Sequence, residues 1–249
     1  MIKILIINFL LFFPSFYKKY QEGLFESLRR SLMPLYEIEY KYLDLITEST
    51  QRTIGLALDI GANVGQSSYA FRRIFPNAEL HAFEPNPDIF QTLVRNLRNS
   101  QINLHNVGLG EQKNTGYIYI PEYRKVLFTG LAACDRIQAE KHVQKLKLFK
   151  FHTSNFETIK QSVFIEAGDS FELRADLIKI DVEGFEIEVL QGLNRTIQAF
   201  KPIILVECSE THDEVSELLS KYSYRNYEFS RKDKTWIPSK RVNPMQLFI

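Results

Sequence analysis

Five polar residues stand at or just after the ends of apolar, β-type runs: Asp59, Glu84, Asn106, Asp181 and Glu207. Singly, each fits a helix cap or a solvated turn. Five at successive run ends suggest a shared task, because a wound parallel sheet binds its ligands beyond the carboxyl ends of its strands. Around the first of them, "ALDIGANVG" reads D-x-G-x-x-x-G, with Gly61 and Gly65 after Asp59. Bare glycines there let something come very close to the backbone. A dinucleotide fingerprint would need a glycine where Asn63 stands, so a bound pyrophosphate is disfavoured. A helix opening at Gly65 still turns its free N–H groups toward an anion such as a carboxylate. Glu84 follows Gly61 by 23 residues, the spacing of an acid that accepts hydrogen bonds from two ribose hydroxyls. The ligand so described carries an acidic group and a ribose, and needs no phosphate.

The elements that must position these residues follow an alternating rhythm from Gly55 onward. Strands are predicted over 55–60, 78–84 and 102–110, separated by helices over 65–75 (stopped by Pro76) and 87–100 (opened by Pro87). A further strand over 176–181 leads into a helix, and "KPIILVEC" (201–208) reads as a buried strand. A helix over 213–222 and terminal strands near 226–229 and 245–249 complete the pattern. This β-α-β succession predicts an α/β fold, a Rossmann-like wound sheet of about seven mostly parallel strands. Between Thr115 and Phe171 only "TGYIYI" reads clearly, as a strand; the Lys-rich "AEKHVQKLKLFKF" finds no assignment.

At 249 residues the chain has room for one sizeable domain over 51–249 and an N-terminal helical extension or cap over 1–50. No repeat or low-complexity tract interrupts it. A formal net charge of +1 gives no global field to recruit nucleic acid, so no nucleic-acid partner is expected. Two cysteines, Cys134 and Cys208, are too few for a disulfide scaffold and suit a reducing, cytoplasmic setting. The apolar stretch Ile4–Phe13 is too short to span a bilayer and lacks a small-x-small cleavage site. It reads as a helix packed on the domain or covering its site; with Lys18 and Lys19 following, residues 2–19 also suit peripheral membrane contact.

S-Adenosyl-L-methionine meets the ligand requirements above, and the motifs carry a specific resemblance. "LDIGANVGQSS", "AFEPNP", "NVGLG", "DLIKIDVEGFEIEVLQG" and "PIILVEC", in this order over about 54–210, resemble the FkbM family of class I methyltransferases, which O-methylate hydroxyls, often on sugars or polyketides. The resemblance implies that Asp59, Gly61, Asn63 and Gly65 shape the methionine pocket and that Glu84 binds the ribose. It implies that Asn106, Val107 and Gly108 lie along the adenine, and that Asp181 sits nearest the transferred methyl group. "IEAGDSFEL" departs from the family pattern before the fourth strand, so Asp169 is given no functional weight.

The implied activity is O-methyl transfer to a hydroxyl of a carbohydrate or related natural product, and such a transfer gains from a base. Asp181, Glu207 and His212 are the candidates, the histidine because its side chain type titrates near neutrality. Asp181 and Glu207 could instead hold a divalent cation, which is not favoured, and no zinc-type ligand spacing is present. A nicotinamide-dependent oxidoreductase is the enzymatic rival, but it needs the glycine that Asn63 replaces and leaves "IKIDVEG" unexplained. The non-enzymatic rival is a cofactor-binding domain of the same fold that does not turn over.

Overall fold

The computed structural model describes residues 43–123, 126–145, 156–207, 211–230, 235–239 and 245–249. The N-terminal extension before Leu43, with its expected capping or membrane role, and Cys208 lie outside the described residues.

The first sheet runs in the order β11-β10-β12-β9-β8-β1-β2-β3. Its parallel part comprises β1 (Leu56–Ile60), β2 (Glu79–Phe83), β3 (Asn103–His105), β8 (Leu177–Ile180) and β9 (Ile203–Glu207). An antiparallel flank, β12 (Met245–Phe248), β10 (Asn226–Ser230) and β11 (Thr235–Pro238), extends it beyond β9. The strands after β1 step outward one way through β2 and β3, whereas β8 and β9 step the other way. The direction of winding therefore reverses between β1 and β8, the place where such sheets open a binding crevice.

Helices cover both faces, and the strands alternate accordingly. Leu58, Ile60, Ile178, Ile180, Ile204 and Val206 pack on one side, while Ala57, Leu177, Ile203, Leu205 and Leu247 pack on the other. The first core is closed by α5 (Glu186–Gly192), α6 (Asn194–Phe200) and α7 (His212–Ser220). The second is closed by α1 (Leu43–Thr50) and α2 (Gln66–Ile74), through buried Leu43, Ala70 and Phe71. Helix α3 (Pro87–Leu97) lays Ile89, Leu93 and Leu97 inward, and Asn86 caps it by accepting from the N–H groups of Asp88 and Ile89. Among the described residues no helix is long and apolar enough to cross a membrane.

One expectation about the strands is corrected. The run 102–110 is two strands in two different sheets. After β3 the chain turns at Asn106, and β4 (Gly108–Gly110) pairs in parallel with β7 (Glu157–Ala167). The turn is stabilised by Asn106 Nδ2, which donates to the carbonyls of Glu84 (2.8 Å) and Pro85 (3.3 Å). The expected wound sheet of about seven mostly parallel strands is present as the eight-stranded first sheet, and a second sheet, β4-β7-β5-β6, stands beside it. Its centre is the antiparallel pair β5 (Asn114–Tyr123) and β7, in register from Asn114↔Ile165 to Glu122↔Glu157, with β6 (Val126–Leu127) at its edge. Helix α4 (Arg136–Lys145), drawn from the unassigned Lys-rich segment, packs against this sheet.

Candidate active site

The turn after β1 is shaped by the protein's own backbone. Gly61 has φ 78°, and a Cβ there would lie 1.7 Å from the carbonyl oxygen of Asp181. The close approach that the glycine spacing implied is therefore made by the end of β8, at the mouth of the crevice. Gly65 has φ 102°, and a Cβ on it would meet Leu93 at 2.9 Å and Leu97 at 3.0 Å. Its bareness lets the apolar stripe of α3 pack against the opening of α2. Asn63 adopts φ 50° between the two glycines, a conformation that asparagine tolerates better than most residues.

Asp59 and Lys179 face each other across β1 and β8, in a row otherwise filled by apolar side chains. Both are buried. Lys179 Nζ lies 3.3 Å from Asp59 Oδ1 and 3.2 Å from Asp181 Oδ2, and donates to the Gly61 carbonyl at 3.0 Å. The other Asp59 oxygen, Oδ2, accepts from the hydroxyls of Ser67 (2.7 Å) and Ser68. Asp59 thus anchors the first turn of α2 and reaches Asp181 only through the ammonium. It lines the core, not the crevice.

Glu84, at the end of β2, is 6% exposed and faces the crevice. Its Oε2 accepts from the Asn63 N–H at 2.9 Å, and its Oε1 accepts from the Asn86 N–H at 2.8 Å. Burial pushes the carboxyl up to about 7, against the backbone donors and Lys179, which favour the charged form. Each oxygen keeps a further lone pair for a ligand hydroxyl. Two buried amide atoms on the same wall, Asn63 Oδ1 and Asn86 Nδ2, have no hydrogen-bond partner among the described residues.

A cavity of about 800 Å³ opens between the carboxyl ends of the first sheet and the second sheet. Gly61, Asn63, Glu84 and Gly108 form one end; Asp181, Val182, Glu183 and Gly184 lie along its floor; and Tyr117, Tyr119, Thr129 and Cys134 come from the second sheet and its connections. The loop after β8 is fastened to this second unit. The Cys134 N–H donates to the Glu183 carbonyl (3.4 Å), and the Cys134 thiol donates to the Val182 carbonyl (3.3 Å). Burial and the surrounding carboxylates push the Cys134 thiol up to about 12, so it stays protonated and is no nucleophile.

Of the residues singled out from the sequence, the structure brings Gly61, Asn63, Glu84, Gly108 and Asp181 to the cavity. Gly65 and Asn106 stand behind its wall, and Val107 packs on the core. Glu207 ends β9 outside the lining, close enough to act on Glu183 electrostatically. His212 corrects the expectation of a histidine beside the pocket: it is buried at the start of α7, with its ring against Gln246. Among the described residues no group of three or more His, Cys, Asp or Glu side chains is arranged to hold a metal ion.

Sequence reasoning passed over Lys179, Asn86 and the serine pair. The first had a signal, since one lysine inside the four-residue strand "LIKI", flanked by isoleucines, is a charge that burial must pair. Asn86 before Pro87 reads as a helix cap, and it serves as one.

A sheet that reverses its winding above a buried acid, with a helix opening at the first turn, has the layout of the Rossmann-like methyltransferases. The family model for the FkbM methyltransferase domain matches residues 59–229, and the chain belongs to that family. It is 26% identical over 190 residues to Methyltransferase 1 of Beauveria bassiana, covering 73% of this chain and 75% of that protein. It is 27% identical over 164 residues to the hexuronic acid methyltransferase AglP of Haloferax volcanii, covering 65% of this chain and 60% of that protein. A solved FkbM methyltransferase from Methylobacillus flagellatus aligns over 79% of this chain with 17% identity and a TM-score of 0.49; the alignment spans 44% of that chain.

Proposed function

We propose that this protein is an S-adenosylmethionine-dependent O-methyltransferase acting on a hydroxyl of a carbohydrate or related natural product. The observation that carries the reading is Glu84, a carboxylate buried in the crevice wall with both oxygens oriented by backbone donors and spare lone pairs toward the cavity. A nucleoside ribose supplies the two hydroxyl donors that such a group accepts. Asn63 Oδ1, which has no hydrogen-bond partner among the described residues, suits the ammonium end of an amino-acid tail. The bound donor supplies an electrophilic methyl group.

Asp181, held by Lys179 at 3.2 Å, is a fixed negative charge on the floor that stabilises a cationic centre above it. Gly108 and the turn before it provide a flat backbone edge for the base. The second sheet supplies the remaining wall, where an acceptor hydroxyl can be aligned for in-line attack. Such alignment is worth about 7–11 kcal/mol of a barrier. The carbohydrate assignment draws support from the name of the Haloferax relative, which acts on a hexuronic acid. A mass-shift screen of purified sugars and glycolipids with a labelled methyl donor tests the reading. A gain of one methyl group on a hydroxyl-bearing acceptor supports it; methylation confined to nitrogen, sulfur or carbon acceptors contradicts it.

A further inference from the structure

The loop after β8 carries a second carboxylate that the cofactor reading leaves unused. Glu183 lines the cavity two residues beyond Asp181, at φ 50° and followed by Gly184 at φ 99°. A Cβ on Gly184 would lie 2.3 Å from the Gln138 side chain of α4, so the loop is pressed against that helix. From the same helix His142, 15% exposed, places Nε2 3.8 Å from Glu183 Oε2. Its other nitrogen, Nδ1, lies 3.3 Å from the Leu131 carbonyl, an acceptor only, so Nδ1 carries a proton, and Nε2 faces Glu183.

We propose that Glu183 is the catalytic base that removes the acceptor proton, with His142 as the residue that positions it and accepts its hydrogen bond once it is protonated. This rests on the methyl-transfer reading above. As the acceptor oxygen bonds to the methyl carbon, the carbon–sulfur bond breaks with its electron pair going to sulfur. The hydroxyl proton passes to Glu183, which later loses it to water through its exposed edge.

The other acids serve this step less well. Asp181 Oδ2 is already occupied by the Lys179 ammonium, Glu207 lies outside the cavity lining, and His212 is buried against Gln246. The charged and titratable groups that face Glu183 include Asp181, Glu207, Glu186, Lys179, His142 and Cys134. The Glu183 side chain is 48% exposed, so the loss of surrounding water is partial and screening tempers the like charges of Asp181, Glu207 and Glu186; together they push its carboxyl upward, toward the range in which a base works. The 3.8 Å separation is longer than a hydrogen bond, as such pairs often are before substrate closes them.

The test uses the full chain and three variants, Glu183→Gln, His142→Phe and His142→Gln. Nitrogen-15 NMR of histidine-labelled protein with S-adenosylhomocysteine is expected to show neutral His142 protonated on Nδ1, with an Nε2 signal that moves in Glu183→Gln. With a pool of purified saccharides and labelled methyl donor, Glu183→Gln should lose about 10²- to 10⁴-fold in rate. His142→Phe should displace the acidic limb of the pH–rate profile, and His142→Gln, which restores an acceptor, should partly return it. Calorimetry with S-adenosylhomocysteine should give the same affinity for all variants within about twofold, the margin left by a change outside the nucleoside contacts. An Nε2-protonated His142, or an Nε2 signal indifferent to Glu183→Gln, overturns the pairing whatever the acceptor is. Full activity of Glu183→Gln overturns the base. A wild-type protein that binds no S-adenosylhomocysteine defeats the underlying function, and the NMR result still decides whether Glu183 and His142 are coupled.

Discussion

Glu84 shows how one side chain can join fold and ligand. Its oxygens hold the turns after β1 and β2 through Asn63 and Asn86, while the same oxygens face the cavity. Glu84→Gln replaces one acceptor oxygen by a donor, and hydrogen bonds to charged groups are worth about 1.5–3 kcal/mol. Affinity for S-adenosylhomocysteine measured by calorimetry should fall about 10- to 100-fold. The charged form is the one that accepts from ribose, so wild-type affinity should strengthen as pH rises through about 7, and the variant should lose that dependence. Lys179 gives a different expectation. Replacing it by methionine strands Asp59 and Asp181 beside a core without their cation, a change that costs about 3–5 kcal/mol and is read from the urea midpoint. At this scale the crevice acids were legible because strand ends can be read from apolar runs. The histidines were not, since His212 and His142 both sit at helical positions whose neighbours in space come from distant segments, Gln246 for one and Glu183 for the other.

At the level of elements, the glycines separate two kinds of constraint. Gly61→Ala drives a methyl group into the Asp181 carbonyl at 1.7 Å, backbone against backbone, and should abolish a cooperative urea transition or lower its midpoint severely. Gly108→Ala meets only ordinary contact, 3.4 Å from Pro85 Cβ, and should change the stability read from the same transition by about 1 kcal/mol or less. Equal behaviour of the two would contradict the packing described for the crevice. The parallel core was readable because its strands are buried on both faces and interrupted by helices with clear stops at Pro76 and starts at Pro87. The second sheet was not. Its two long strands, β5 and β7, are separated by more than thirty residues, and half their faces are polar, so neither announces its partner. The turn at Asn106 also leaves no break in the apolar run, which is why β3 and β4 read as one strand.

Across the whole molecule, burial of carboxyls at the crevice ties stability to pH. Glu84, pushed up to about 7, keeps its proton in the folded state over a range where the unfolded chain, near the ordinary value, has lost it. The folded state then binds more protons than the unfolded one, so this contribution to stability declines as pH rises from about 4.5 to about 7. His105 acts in the opposite sense: burial and His81 lower it, so stability gains as pH rises through the ordinary histidine range. The difference in melting temperature between Glu84→Gln and wild type removes the histidine contribution, and it should shift in favour of the variant from pH 5 to pH 8. A difference that stays flat would show that Glu84 is ionised throughout. Methyl transfer requires a sulfur-bearing nucleoside in the crevice, and calorimetric titration of the full chain at pH 8 with S-adenosylhomocysteine and, separately, with NADH tests that most directly. Saturable binding of the first with none of the second, lost or much weakened in Glu84→Gln, is the predicted result. Tight binding of NADH with no response to S-adenosylhomocysteine would contradict it.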